Sequence, residues 1–495
     1  MKSEFLSKYR PQLIALAFVL FLVAGFAMIG LLAGQPHDHL QTLESESVVS
    51  ESSSSEPKPL VLAEPLVGLK AKDQETPFEG KEGELKLRSV GDVLLHEFVS
   101  EMASVKNPFY KSAVDRLHKD GISWENPGGA YDFYPMLAQI APYMSYADVT
   151  LANMEVIVAN PQYPVTGYPS FNAPKQIIKA LQAIGVDMVT NGTNHTLDYS
   201  ARGALASIAN LKEAQMPYVG SFESQEDHDT PRIIEKNGIK IGILTYSYGT
   251  NGVPVPEDQP YLINLVDLPQ MVEDVKALKD KVDAVVVTLQ LGQEYDTTPD
   301  PTQEQVFQAL SDAGVKLILG GHPHVLQPMQ WFNGKQTFAI YSQASFMSGQ
   351  IYPANKQGGI TEVTFKRGED GQVTVTDPKF MPIYITGAEN AEFYETVPMA
   401  VYNRYAVTEG ADWYEIIRQR MQLYTKDFRY VSHLETQWTQ EDTDIHRSYS
   451  FAPMAHSKGV GHWLCRGLGK GGNWGRGREL VVHSLEWTTG WAEKA

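Results

Sequence analysis

The sequence is poor in cysteine and has no excess of positive charge, and both shortages limit what the protein can be. Cys465 is the only cysteine in 495 residues, which excludes an intramolecular disulfide framework and any zinc ribbon or iron–sulfur cluster held by cysteines of this chain alone. With 41 basic and 59 acidic residues, the net charge is −18, so we expect no nucleic-acid partner. Hydrophobic residues make up 43% and charged residues 20%, which is typical of a globular protein.

The N-terminal segment predicts attachment to a membrane. Residues 13–33 form an uncharged apolar run, long enough at about 1.5 Å per residue to cross a hydrocarbon core of about 30 Å. Basic residues precede this run, so the positive-inside rule keeps residues 1–12 in the cytoplasm and places the main domain outside. The alternative is a cleavable signal peptide, for which Ala33-Gly34-Gln35 is a poor cleavage site. We expect a single-pass protein of the cell membrane.

The rest of the chain divides by composition. Residues 34–84 are rich in Ser, Glu and Pro and offer little to bury, which predicts a disordered tether. Residues 85–390 are predicted to form the main domain, and residues 391–450 a helical extension. Residues 451–495 are rich in Gly and Trp, and are either a segment that adheres to a wall polymer through cations and aromatic rings or a translated frameshift or gene-fusion scar.

Short β-branched runs alternate with helical patterns in the main domain. This alternation predicts an α/β fold in which helices cover the sheet. Strands are predicted at 87–90, 148–151, 186–190, 239–246, 284–289 and 315–319, and helices at 175–184, 201–214, 269–281 and 302–313.

Polar clusters follow these predicted strands, where open α/β sheets place their ligands. Carboxylates, amide oxygens and neutral imidazoles can hold a divalent metal, and two such ions could clamp a phosphoester. The candidate residues are Asp92, Asn153, Glu155, Asn194, His195, Asp198, Gln290, Glu294, Tyr295, His322 and His324.

Several of these clusters resemble motifs of the CapA family of bacterial capsule and poly-γ-glutamate synthesis proteins. The matching segments are 91–93, 148–155, 194–199, 292–295 and the run GGHPHVLQP at 320–328. That family is similar to calcineurin-like metallophosphoesterases. The resemblance therefore implies a two-layered β-sheet core flanked by helices, as an αββα sandwich.

The resemblance also implies roles for individual residues. It makes His195 the group that protonates a leaving group, with Asp198 beside it, and it implies one or more divalent ions such as Mn, Mg, Zn or Fe. The implied metal ligands are Asp92, Glu155, Asn194, His322 and His324. The implied substrate-binding residues are Gln290, Glu294 and Tyr295.

The sequence departs from the family pattern at three places. Leu94 and Gln290 stand where related proteins carry histidines, and the segment 342–346 lacks a usual asparagine. Two missing imidazoles leave a dinuclear site short of ligands, whereas a single-metal site remains open. His96 could supply an imidazole, although its spacing from Asp92 is unusual.

Structural interpretations also remain open for some candidates. His195 could bond backbone carbonyls, Asp198 could cap or orient the loop of His195, and Glu294 and Tyr295 could simply close a loop.

Two functions of different classes follow. The first is a membrane-anchored component of surface-polymer synthesis and export that binds an anionic polymer such as polyglutamate and works beside other membrane subunits. The second is an extracellular metal-dependent phosphoesterase acting on a cell-wall or lipid-linked phosphate, with His195 as general acid.

Overall fold

The computed structural model describes residues 78–119, 122, 124–387, 393–401, 407 and 409–436. The predicted membrane span at 13–33, the tether as far as residue 77 and the tail at 451–495 lie outside these residues. Within the described ranges, no helix combines the length and the apolar character needed to cross a bilayer.

The strands of the described residues run from Glu84 to Tyr430. In chain order they are β1 (Glu84–Leu94), β2 (Val149–Asn153), β3 (Met188–Thr190), β4 (Tyr218–Val219), β5 (Arg232–Lys236), β6 (Ile239–Ser247), β7 (Ala284–Gln290), β8 (Leu317–Gly321), β9 (Gln327–Phe332), β10 (Thr337–Ser342), β11 (Ser345–Ser348), β12 (Gln357–Arg367), β13 (Val373–Ile385), β14 (Thr396–Pro398) and β15 (Arg429–Tyr430).

The helices lie mainly between the parallel strands. They are α1 (Glu97–Met102), α2 (Pro108–Lys119), α3 (Tyr134–Leu137), α4 (Ala141–Met144), α5 (Gln176–Ala183), α6 (Ser200–Glu213), α7 (Gln225–Asp229), α8 (Leu268–Lys279), α9 (Pro301–Ala313) and α10 (Gly410–Met421). Short 3₁₀ turns occur at Pro260–Leu262, Pro353–Lys356 and Met399–Val401.

These strands form two sheets. The first has the order β14-β13-β12-β1-β2-β3-β4, with β11 paired to β1 and β15 to β13. The second has the order β5-β6-β7-β8-β10-β9. The strands β1 to β4 are parallel to one another, as are β6, β7, β8 and β10. Each sheet therefore brings several carboxyl strand ends to one edge.

Three large apolar clusters hold the layers together. In one, Leu87 and Leu151 of the first sheet pack with Ile241 and Val286 of the second, so the two sheets face each other across this core. In another, α5 packs on the first sheet, with Leu181 and Val90 in the same cluster. In the third, α8 and α9 pack on β7 of the second sheet. The fold is therefore mixed α/β with two sheets and covering helices.

The predicted strands and helices of the main domain all occur, with ends shifted by a few residues. The prediction was wrong about the end of the first strand, which continues through Gly91 to Leu94 instead of stopping at residue 90. The reason is the parallel pairing of β11, which aligns Ser345 with Asp92. A side chain at Gly91 would bring its Cβ to 1.9 Å from the carbonyl oxygen of Ala344, so only glycine permits this approach.

Candidate metal centre

The polar candidates meet at the edge where the parallel strands of both sheets end. Asp92 lies near the end of β1, and Glu155 follows β2 by two residues. Gln290 is the last residue of β7, and His322 follows β8 directly. Because the two sheets pack against each other, this edge joins carboxylates of the first sheet to side chains of the second.

Asp92, Glu155 and His324 form the buried centre of the site. The carboxylates of Asp92 and Glu155 are fully buried. His324 Nδ1 lies 3.0 Å from Asp92 Oδ2 and 3.7 Å from Glu155 Oε2. Within the described residues, the ion-pair contacts of both carboxylates are with this imidazole. The site therefore holds more negative than positive charge away from water.

Burial and neighbouring charge shift the ionisation of two groups in the site. Burial, reinforced by the charge of Asp92, raises the pKa of Glu155 well above its usual range. Burial, reinforced by His324, lowers the pKa of His322 to about 3. The ring of His322 is therefore neutral at physiological pH and carries a free lone pair.

These residues fit a divalent metal ion. Ligand atoms of Glu155, His322 and His324 lie within 4.8 Å of one another, and all three residues are buried. Glu155 Oε2 and His322 Nδ1 are buried without a hydrogen-bond partner, which is costly for polar atoms unless something else binds them. Neutral imidazoles with a carboxylate form a usual ligand set for such an ion, and its charge would offset the repulsion between the carboxylates.

The loop that carries both histidines has an unusual backbone. His322 has φ of 91° and His324 has φ of 57°, a left-handed region that non-glycine residues seldom adopt and that costs about 1–3 kcal/mol per residue. The backbone N–H of Tyr295 donates to the carbonyl of Pro323 at 2.8 Å, and the ring of Tyr248 lies 4.4 Å from that of His322 between centroids. The surrounding structure thus holds the two imidazoles in a strained position, as is common at functional sites.

His195 and Asp198 form a second pair at the same edge. His195 Nδ1 lies 2.8 Å from Asp198 Oδ2, and that oxygen also accepts the backbone N–H of Phe171 at 2.6 Å. Since a carboxylate only accepts, Nδ1 carries the proton and Nε2 is left with its lone pair. The ring of Phe171 meets that of His195 edge-on at 4.8 Å. Asp198 thus fixes the tautomer and orientation of His195.

The other predicted residues lie in or around this site. Gln290 is buried, and its Nε2 donates to Glu155 Oε1 at 2.8 Å. Asn194 Oδ1 lies 3.5 Å from the same nitrogen. Glu294 and Tyr295 are exposed, and the ring of Tyr295 lies 6.2 Å from that of His324 between centroids.

His96 does not join the three residues that could hold a metal. Its Nδ1 accepts the backbone N–H of Gly349 at 3.2 Å, and burial lowers its pKa to about 4. This nitrogen therefore replaces neither of the two missing imidazoles, because a backbone N–H already uses its lone pair.

Two further side chains contact the site: Asn153, a polar candidate to which the sequence assigned no particular role, and Asn251, which was not among the candidates. Asn153 Nδ2 donates to Asp92 Oδ1 at 2.8 Å. Asn251 Oδ1 accepts from Asn194 Nδ2 at 3.2 Å, and its amide nitrogen lies 3.3 Å from His195 Nδ1. Asn251 could have been suspected from the turn sequence Gly-Thr-Asn-Gly, which closely follows a predicted strand.

Comparison with known proteins identifies the class. Residues 86–350, more than half of the chain, match the protein family described as "Bacterial capsule synthesis protein PGA_cap". The chain therefore belongs to this family. The resemblance to capsule and poly-γ-glutamate synthesis proteins is confirmed.

Two curated relatives carry capsule-related names. The chain is similar to "Capsule biosynthesis protein CapA" of Bacillus anthracis, with 26% identity over 295 residues, covering 58% of this chain and 65% of the relative. It is also similar to "PGA biosynthesis protein CapA" of Bacillus subtilis (strain 168), with 26% identity over 242 residues, covering 47% of this chain and 63% of the relative. The matches thus span slightly less than two thirds of the length of each relative.

Solved structures overlap with this fold only in part. A putative 5'-nucleotidase from Staphylococcus aureus in complex with alpha-ketoglutarate has a TM-score of 0.36 and 13% identity, covering 74% of this chain and 58% of that one. A hypothetical protein from Thermus thermophilus has a TM-score of 0.33 and 14% identity, covering 60% of this chain and 99% of that one.

Proposed function

We propose that this protein is a membrane-anchored, extracytoplasmic component of the synthesis and export of a bacterial surface polymer, with poly-γ-glutamate as its ligand. Membership of the capsule synthesis family supports the pathway, and the names of the two relatives support the polymer. The uncharged run at 13–33 supports the anchor. Other membrane subunits of a polymer synthase would be its partners.

The observation that carries this proposal is the buried, charge-unbalanced cluster of Asp92, Glu155 and His324. It fits one divalent ion, held by Glu155, His322 and His324, and the mixed ligand set is compatible with Mn, Mg, Zn or Fe. The ion would supply a positive centre that binds a carboxylate of the polymer. Since the net charge of −18 repels a polyanion elsewhere, contact would be confined to this edge.

The rim of the site supports access by a large ligand. Tyr295 is 52% exposed and Tyr248 44% exposed, and both rings lie beside the histidines. The Tyr248 hydroxyl donates to Asn251 Oδ1 at 3.2 Å, and a polymer carboxylate could take the place of that acceptor.

The second candidate, a phosphoesterase, is supported by the His195–Asp198 pair. We propose that the two-sheet fold is a metallophosphoesterase-like αββα sandwich in which Asp198 orients His195. With a proton also on Nε2, His195 would be positioned to transfer that proton to a leaving oxygen, and Nε2 would return to the lone-pair state described above. The ion would polarise a phosphoryl oxygen when bound. The loss of histidines at positions 94 and 290 favours the first function over this one.

In the first candidate function the metal binds a carboxylate of the polymer, and in the second it polarises a phosphoryl oxygen. We would purify the full-length protein in detergent and measure Mn²⁺ binding, Mn²⁺-dependent binding of poly-γ-glutamate, and hydrolysis of a generic phosphodiester. Wild type would be compared with His324→Ala and with a matched control, His118→Ala, whose side chain is exposed on α2.

We expect His324→Ala to lose at least 100-fold in Mn²⁺ affinity, since removing even an outer-shell partner typically costs about 10–100-fold, and to lose polymer binding with it. Hydrolysis lost in His324→Ala but retained in His118→Ala would favour the phosphoesterase. Polymer binding that is equal in all three proteins and independent of Mn²⁺ would contradict the proposed role of the site.

A further inference from the structure

Two amide side chains cross the site from one carboxylate to the other. Asn153 Nδ2 donates to Asp92 Oδ1 at 2.8 Å and to Gln290 Oε1 at 3.2 Å. Gln290 Nε2 then donates to Glu155 Oε1 at 2.8 Å and lies 3.5 Å from Asn194 Oδ1. At both ends of this chain an amide nitrogen donates to a carboxyl oxygen, Asp92 Oδ1 at one end and Glu155 Oε1 at the other.

This chain of hydrogen bonds divides the site into two halves. On one side, Asp92 Oδ1 and Glu155 Oε1 are occupied by amide N–H groups. On the other side, Asp92 Oδ2 and Glu155 Oε2 face His324, and His322 offers a free lone pair. A cation needs lone pairs, whereas amide N–H groups present positive hydrogens. The half that contains the histidines keeps atoms without a hydrogen-bond partner, Glu155 Oε2 and His322 Nδ1, which an ion could bind.

The amide of Gln290 fits its position closely. The side chain is 2% exposed, and its Nε2 stands between two oxygen acceptors, as a cation would. Gly321 makes room for it, since a Cβ there would lie 2.3 Å from Gln290 Oε1 and 3.2 Å from Asp92 Oδ1. A residue with a side chain at position 321 would therefore collide with the amide of Gln290.

We propose that the Gln290 amide occupies the place of a second cation, so that this protein binds one divalent ion where two would otherwise fit. The amide donates hydrogen bonds to Glu155 and Asn194 and so replaces the attraction that a second ion would exert on their oxygens. This inference rests on the proposed metal site, and it explains how the carboxylate pair tolerates a single ion.

The test is to restore a lone pair at this position and count the ions. Full-length protein in detergent would be dialysed against Mn²⁺, and bound manganese would be measured by mass spectrometry and by electron paramagnetic resonance. We expect one Mn²⁺ per chain in wild type and two in Gln290→His, with a spin-coupled pair signal only in the variant. Gln293→His, at an exposed position just after β7, should stay at one ion and controls for an added imidazole.

The outcomes separate this inference from the proposed site. Two ions in wild type, or a single ion in both Gln290→His and Gln290→Glu, would overturn the inference while leaving the metal centre intact. No ion in any of these proteins would overturn the metal centre itself. Circular dichroism would establish that each variant is folded, and Gln290→Glu provides a second donor of lone pairs if Gln290→His does not fold.

Discussion

Strand β1 carries two buried charged residues, Arg88 and Asp92, whose surroundings are opposite. Arg88 Nη2 lies 2.6 Å from Glu362 Oε2, and Lys379 Nζ lies 2.6 Å from Glu362 Oε1. Lys379 also lies 3.2 Å from Asp377 Oδ2. Asp377 Oδ2 lies 2.6 Å from Arg429 Nη2 as well, so each of the two carboxylates meets two cations. Arg88 donates further to the backbone carbonyls of residues 143 and 435.

Four residues along the same strand, the charges do not balance. Asp92 and Glu155 are both fully buried, and their neighbour is an imidazole that is charged only when protonated. One oxygen of Glu155 lacks any hydrogen bond. The comparison shows that burial of charge alone does not mark a functional site. What distinguishes the site around Asp92 is that its carboxyl groups are buried without a full set of charged or hydrogen-bonding partners, which is typical of a site that binds a ligand.

The largest effect is expected from breaking the balanced cluster. Replacing Glu362 with Ala leaves Arg88 and Lys379 buried without their shared carboxylate, which should lower the free energy of unfolding by about 3–5 kcal/mol. Urea denaturation followed by tryptophan fluorescence would measure this loss. The matched control is Glu213→Ala, which breaks an exposed pair with Lys175 and should cost less than about 1 kcal/mol. Equal losses in the two variants would mean that the buried cluster is not structural.

In the cluster of Asp92 and Glu155, we expect a substitution to raise the free energy of unfolding instead of lowering it. With a chelator present, Glu155→Gln should raise the free energy of unfolding by about 1–3 kcal/mol, since it removes a buried charge while still accepting from Gln290. Folding raises the pKa of Glu155, so the contribution of this group is present at low pH and is lost as the pH rises. The advantage of the variant should therefore grow with pH.

With metal present, wild type should become more stable than Glu155→Gln. Added Mn²⁺ should stabilise wild type through binding to the folded state and leave Glu155→Gln nearly unchanged. If Glu155→Gln were instead as destabilising as Glu362→Ala with the chelator present, the two clusters would both be structural, and the contrast between them would be wrong.

A smaller effect on stability is expected at Asp187, where burial is the main cause of the raised pKa. Asp187 accepts the backbone N–H of Thr150 at 2.8 Å, and burial raises its pKa to about 7. Its contribution to stability is thus full below about pH 4 and is lost as the pH rises through about 7.

Asp187→Asn should therefore gain stability relative to wild type across that interval. We expect a gain of about 1–2 kcal/mol, since the side chain is partly exposed. Denaturation curves at pH 4, 6 and 8 would measure it, and Mn²⁺ should not alter it. A gain that disappears on adding Mn²⁺ would show that Asp187 is coupled to the site.

Much of the fold and many site residues could be predicted from the sequence. The run AVVVTLQ of β7 is buried along its whole length, and such a run predicts an interior parallel strand without knowledge of its neighbours. Residues such as Asp92, Glu155 and His322 could be predicted to meet because each follows a strand of an α/β pattern. The extension of β1 could not be predicted, since it depends on pairing with β11, more than 250 residues away along the chain.

The sequence by itself determined the order of strands and helices and the residue types at the strand ends, because periodicity and local turn chemistry are properties of neighbouring residues. Only the tertiary structure decided which of those side chains compensate one another. The hydrogen bond from Gln290 to Glu155 joins residues 135 positions apart, and the contact of His324 with Asp92 joins residues 232 positions apart. Both depend on how two sheets pack against each other, and that packing decides whether a buried carboxylate serves the fold or a ligand.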